Sequence, residues 1–366
     1  MNINTPNVLI RPISFLLVGA LLVSAFGFTA DGWQIGNDGK NQATNAGNQL
    51  PTVEIPTVNE TPEDDEDKIR IPDYVNYLTG VETTEDLHNK KPVSVLMNSN
   101  TATYGIYSAE ILCEMPTEDD TTRFLAIISD TSELWKIGSI ANGRGYISNI
   151  SKFFGATIIS GKNEDNIAYD HCDISKETLD ISLHNGYFYT EYSHYHYTSA
   201  EMLNKWLNEL LPDSSATPKT PYQFTDFGAE TITGETKSEK ISIAFSEISS
   251  TELQYNADTN SYAIYKNGCE KTDAINGKTP YFTNCFVLFA DSATYDNSNG
   301  TRLVMNTIGS GDGYYFTNGT VIEIKWSSDL DGNFSFTLTD GSPLVINRGI
   351  SYIAYVKTSA KDDVVF

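Results

Sequence analysis

The chain has 366 residues, 40% of them hydrophobic, enough to fill the cores of about two domains and to exclude a disordered protein. Asp and Glu number 48 against 24 Lys and Arg, a formal charge of −24 that repels phosphate backbones and anionic lipid head groups, so nucleic acid is excluded as a partner. The 21 Tyr and 17 Phe, set among 26 Gly and 13 Pro, describe a strand-rich and turn-rich polypeptide.

Residues 1–30 carry one positive side chain, Arg11, followed by the uncharged run Ile13 to Phe28, the layout of an export signal or membrane anchor. Sixteen helical residues span about 24 Å, short of the roughly 30 Å hydrocarbon core, which favours a removed signal or marginal anchor over a durable transmembrane helix. No second such run exists, so contact with a membrane is expected only through this segment. Residues 31–70 are rich in Asn, Gly, Pro, Thr and acid, with seven acids and one base between Glu54 and Lys68. Such a segment buries too little apolar surface to offset chain entropy and is expected to be a self-repelling tether.

The folded part begins near residue 71. Pro92–Met97, Arg123–Ile128 and Ala156–Ile159 are short apolar runs that predict strands of a covered sheet, and Tyr146–Phe154 predicts a short helix. A second helix follows Thr198, which with Glu201 has capping-box spacing; Met202, Leu203, Trp206, Leu207, Leu210 and Leu211 form its apolar face, and Pro212 stops it. Residues 213–221 are Ser, Thr and Pro-rich and predict a linker.

From residue 222 the helical period disappears. Ile241–Phe245, Leu253–Tyr255 and Tyr262–Ile264 alternate, and further strand-like runs lie at Cys285–Phe289, Arg302–Met305, Val321–Trp326, Phe334–Leu338 and Ile350–Val356. The fold class predicted is α+β: an N-terminal mixed α/β domain over 71–212, then a mainly antiparallel β domain over 222–366. Cys113, Cys172, Cys269 and Cys285 are even in number, but Cys113 and Cys285 sit in apolar runs, which favours free buried thiols over disulfides. No cysteine pair has zinc-ligand spacing.

His194 and His196, two apart in an extended segment, lie on one side of it and are a weak start for a metal site; the surrounding Tyr192, Tyr195 and Tyr197 favour a packing surface. Gly309-Ser310-Gly311 precedes a strand-like Tyr314-Tyr315-Phe316 and not a helix, so a turn or bulge is expected in place of a phosphate loop. Asp329-Leu330-Asp331-Gly332 lacks the later acidic positions of a calcium loop and predicts a hairpin. No nucleophile elbow, HExxH or local cysteine-protease signature occurs, so no catalytic residue is named and no cofactor or metal is expected.

Leu78-Thr79-Gly80, Asn89 to Asn98, Ser108 to Ile111, Thr122 to Ala126 and Ser193 to Ser199 resemble, in order and spacing, the motifs of the YerB-like bacterial lipoprotein family, whose two domains are of unknown function. In the second half Gly309, Gly311, Gly319, Trp326, Asp340-Gly341, Leu344, Asn347 and Gly349 continue the likeness. This sequence departs from the family where Phe28 replaces the lipidated cysteine, Ala141 an arginine, and Ile159-Ser160-Gly161 a histidine motif.

The resemblance implies an Arg/His constellation suited to an anionic or hydroxyl-rich ligand, carried here by Arg144 and His194 with Arg123 and Tyr197 in support. The alternative is that the arginines pair with internal carboxylates such as Glu114. With the signal and tether, the expectation is an extracytoplasmic, membrane-associated protein, a non-catalytic binder or assembly factor whose partner is an envelope protein or glycan. The rival is an envelope enzyme acting on cell-wall polymer, with His194 as general acid or base.

Overall fold

The structure is a computed structural model that describes residues 69–161, 178–180, 185–192, 194–210, 219–297 and 300–366. The signal segment, nearly all of the predicted tether, Cys172 and most of the predicted linker lie outside the described residues. All described residues belong to one compact unit, Asp65–Phe366.

The fold is mostly β with few helices. The first half supplies strands β1 (Val93–Asn98), β2 (Ile111–Pro116), β3 (Thr122–Ile128), β4 (Ile137–Ile140), β5 (Thr157–Ser160), β6 (Thr178–Asp180), β7 (Tyr189–Glu191) and β8 (Tyr195–Thr198). Its helices are α1 (Glu85–Asn89), α2 (Gly145–Phe153) and α3 (Ala200–Leu210). In the second half the longer strands are β9 (Lys240–Ser246), β10 (Ser249–Asn256), β11 (Ser261–Lys266), β12 (Asn284–Ala290), β13 (Ser292–Asn297) and β14 (Gly300–Met305). They are followed by β15 (Gly309–Thr317), β16 (Thr320–Ser328), β17 (Phe334–Leu338) and β18 (Ser351–Lys357).

One sheet runs through both halves in the order β16-β15-β12-β18-β2-β3-β1-β4-β8-β7, with β17 on β16, and β5 between β1 and β6. The join is β18, which pairs in parallel with β12 on one side and with β2 on the other, placing Cys113 opposite Ile353. Strands β1, β2, β12 and β18 are covered on both faces, which is why they read as continuous apolar runs. Strands β9–β11 form most of a second antiparallel sheet, and β9 alternates buried and exposed residues as a strand with one wet face does.

Two cores follow from the period-two alternation. Val95, Leu112, Phe124, Val287, Tyr352 and Ala354 face one way and pack with Ile241, Ile243, Leu253 and Ile264 of the second sheet and with Leu203 and Trp206 of α3. Leu96, Cys113, Leu125, Phe286, Ile353 and Tyr355 face the other way and pack with Ile147, Ile150 and Phe153 of α2 and Phe334 and Phe336 of β17. Cys113 and Cys285 are free and buried, and burial pushes both thiols up; Cys269 is free and exposed.

Two local readings change. Thr198 is paired with Ile137 as the last residue of β8, and its hydroxyl donates to the Tyr187 carbonyl, so the cap of α3 passes to Ser199, whose Oγ accepts from the Met202 N–H at 3.3 Å. Gly309–Gly311 is not a turn but the start of β15, where a Cβ at Gly311 would meet the Phe289 carbonyl and the Trp326 ring. The 329–332 segment is a hairpin, with Gly332 at φ 81° and Asp329 Oδ1 accepting from the Asn333 N–H.

Glu114 of β2 is wholly buried and bonds to side chains of the second sheet. One carboxylate oxygen accepts from Thr122 (2.5 Å) and from Lys266 Nζ (2.7 Å), the other from Thr251 (2.7 Å) and Tyr352 (2.6 Å). Burial alone raises its pKa, but Lys266 and the hydroxyls more than offset this and hold the carboxyl below its usual value. Removing the carboxylate strands a buried ammonium and three hydroxyls, so Glu114→Leu is expected to destabilise by about 3–5 kcal/mol in urea denaturation. The double variant Glu114→Leu/Lys266→Met, lacking the uncompensated charge, is expected to recover most of that.

Glu110, just before β2, is a half-buried carboxylate: it accepts from the Ser129 N–H (2.9 Å) and Asn76 Nδ2 (3.3 Å), and no ion pair to it is seen among the described residues. Burial outweighs these bonds and pushes its pKa from 4.5 up to about 7. Between those values the folded state holds a proton that the unfolded chain has released, so this group's contribution to stability falls as pH rises. Urea midpoints are expected to decline from pH 5 to pH 7.5, and Glu110→Gln to flatten that decline.

Candidate functional site

The sequence candidates fall into two groups. Arg123 and Arg144 gather at the β2–β3 turn on the side covered by α2. Arg144, the residue before α2, is buried; it donates to Glu118 through Nη2 and through Nε (3.2 Å), and Arg302 Nη1 approaches the same carboxylate at 3.7 Å. Burial raises the pKa of Glu118, but the two guanidinium groups hold it below its usual range. Arg123 donates to the Thr121 hydroxyl (2.9 Å) and pairs with Asp119 at 3.5 Å. The Tyr146 hydroxyl, pushed up by burial, feels both arginines and both carboxylates. The carboxylates that answer the arginines are therefore Glu118 and Asp119, not Glu114, which is turned to the opposite face and to Lys266. This cluster locks the turn onto α2.

His194 and Tyr197 belong to the β7–β8 hairpin, which adds to the sheet edge beyond β4. His194 is exposed, its ring 4.1 Å from that of Tyr195, while His196 Nδ1 is engaged with the Thr190 hydroxyl at 2.9 Å. Tyr197 is buried, and its ring forms one wall of a cage around a residue the sequence did not single out, Lys136.

Lys136 Nζ lies 3.9 Å from the Tyr197 ring centre and 4.2 Å from that of Tyr104, and donates to both carboxylate oxygens of Glu191 (2.9 and 2.8 Å). Burial lowers the ammonium's pKa, but Glu191 and the surrounding phenols more than offset it and hold it above the ordinary value. Tyr189 packs at 5.7 Å on Tyr197, and Tyr104 meets Tyr197 edge-on at 5.6 Å. Beside the cage Trp135 stands 63% exposed, its ring 6.3 Å from Tyr104.

The β4–β8 pairing and the Tyr104–Gly138 bridge bring these residues together from separate stretches of chain. A ledge results in which exposed Trp135, the partly exposed Tyr104 and the half-exposed Glu191 carboxylate lie over the buried Lys136 and Tyr197. Such a surface offers stacking to the C–H face of a sugar ring and hydrogen bonds to its hydroxyls. The tyrosine-rich run at 187–197 carried a visible signal for it. Lys136, Tyr104 and Trp135 did not, because each is an isolated aromatic or lysine until β4 pairs.

Comparison with known proteins adds the family. Residues 78–212 match the model described as protein of unknown function (DUF3048) N-terminal domain, and residues 241–353 match its C-terminal domain. No curated protein matches the chain. A crystal structure of YerB protein from Bacillus subtilis superposes with a TM-score of 0.65 at 21% identity, covering 78% of this chain and 98% of that one, a likeness of fold. Taken with the order of motifs along the chain, these matches place the protein in the YerB-like, two-domain family of unknown function.

Proposed function

We propose that this is an exported, non-catalytic binding or assembly protein of the cell envelope, with a mixed α/β first domain whose aromatic ledge takes a glycan. The observation that carries the reading is Trp135, exposed beside the Tyr104–Lys136–Tyr197 cage and its Glu191 anchor. A large indole left in water next to prearranged polar groups suits a ligand with one apolar face and several hydroxyls. The uncharged run at 13–28 and the acidic stretch after it support export and a body held off the membrane. The engagement of Arg144 with Glu118 and of Arg123 with Asp119 supports a structural role for the polar cluster and not substrate binding.

The test is retention of the purified chain on insoluble cell-wall polymer and in affinity electrophoresis through a soluble neutral polysaccharide. Trp135→Ala is expected to weaken retention by roughly tenfold or more without changing the circular dichroism spectrum. Lys136→Met is expected to weaken it as well by loosening the cage. Equal retention of Trp135→Ala and the parent, or none by either, contradicts the ledge; release of shortened wall fragments by the parent overturns the non-catalytic reading.

A further inference from the structure

A second site lies apart from the ledge, where the two family-matched halves meet. A cleft of about 300 Å³ is lined by Ser99, Asn100 and Ala102 after β1, by Lys266 at the end of β11, and by Cys269 and Lys271 just beyond it. That is the lower end of the volume of small-molecule sites, and a junction between domains is where such sites concentrate.

Lys271 is the telling residue. Its Nζ donates to the main-chain carbonyls of Ser99 and Thr101, each at 2.7 Å, and lies 5.7 Å from the Phe124 ring centre. Two of the three ammonium donors are thereby used, leaving one, and among the described residues no carboxylate forms an ion pair with it. The nearby carboxylates are committed elsewhere: Glu114 to Lys266, Glu270 to the Thr279 hydroxyl, and Asp273 to the N–H groups of Gly105, Tyr107 and Ile275. Burial, helped by the like charge of Lys266 and only partly opposed by Glu114, pushes Lys271 from 10.5 down to about 8. Asn100 and Asn267 add side-chain amides within 3.5 Å of each other.

We propose that this cleft binds a small anion, a carboxylate or phosphate group, with Lys271 as its counter-charge and the Asn100 and Asn267 amides as further donors. The two carbonyls fix the ammonium in place before the ligand arrives, so little side-chain entropy is lost on binding. The remaining charged and titratable groups facing it are Lys266 and Glu114 behind, and Cys269 and Glu270, which also line the cleft, the Glu270 carboxylate accepting from the Thr279 hydroxyl. The site does not depend on the ledge, and Trp135→Ala leaves it intact.

Thermal melts of the full chain in inorganic phosphate and, separately, in acetate, each at constant ionic strength set with sodium chloride, test it. A rise in Tm with either anion is expected in the parent and in Lys361→Met, a lysine outside the cleft, and loss of that rise in Lys271→Met. Which anion acts distinguishes phosphate from carboxylate recognition. Absence of any rise, or an equal rise in Lys271→Met, overturns the proposal. As a readout that needs no variant, the Lys271 ammonium followed by ¹⁵N NMR is expected to titrate at higher pH with the active anion present, and an unchanged titration contradicts the site.

Discussion

Glu114 projects from β2 onto the face of the central sheet that the second antiparallel sheet covers, and its two oxygens take hydrogens from β3, β10, β11 and β18. A charge in that position is tolerated only because every lone pair is answered, and each answering group is fixed by its own strand. Three of the four come from the second half of the chain. The carboxylate therefore acts as a register pin: sliding β18 or the second sheet by one residue would turn Tyr352, Thr251 and Lys266 away from it.

Around that pin the chain crosses itself. β18 is among the last strands in sequence and enters the sheet between β12 and β2, so the first half cannot complete its sheet until the end of the chain arrives. Both sites sit where this crossing brings distant segments together. The loop after β1 reaches the ledge through Tyr104 and the anion cleft through Ser99 to Ala102, and Asp273 from the second half holds it by accepting from the Gly105 and Tyr107 N–H groups.

The sequence disclosed elements better than their arrangement. Pro92–Met97, Tyr146–Phe154 and Phe334–Leu338 were legible because burial on two faces, helical spacing and a glycine turn each leave a local signature. β2 and β4 were not: Ile111–Pro116 contains a glutamate and a proline, and Ile137–Ile140 has two small residues in four, so only pairing with neighbours identifies them as strands. Of the site, the tyrosines around His194 showed, while Lys136 and Lys271 did not, since a lysine becomes distinctive only when folding removes it from water. The arginines were found but their partners were not, because Glu118 and Asp119 lie in a turn whose direction depends on where β3 returns.

The central claim is that the two family-matched halves are one cooperative body closed by β18 and pinned at Glu114. Native-state hydrogen exchange resolved to single amides tests it most directly, comparing Leu112 and Cys113 of β2 with Tyr352 and Ile353 of β18 across increasing denaturant. The account predicts that these amides converge on one opening free energy equal to that of global unfolding. Exchange of the β18 amides through a separate, lower-energy opening that leaves β2 protected would contradict it.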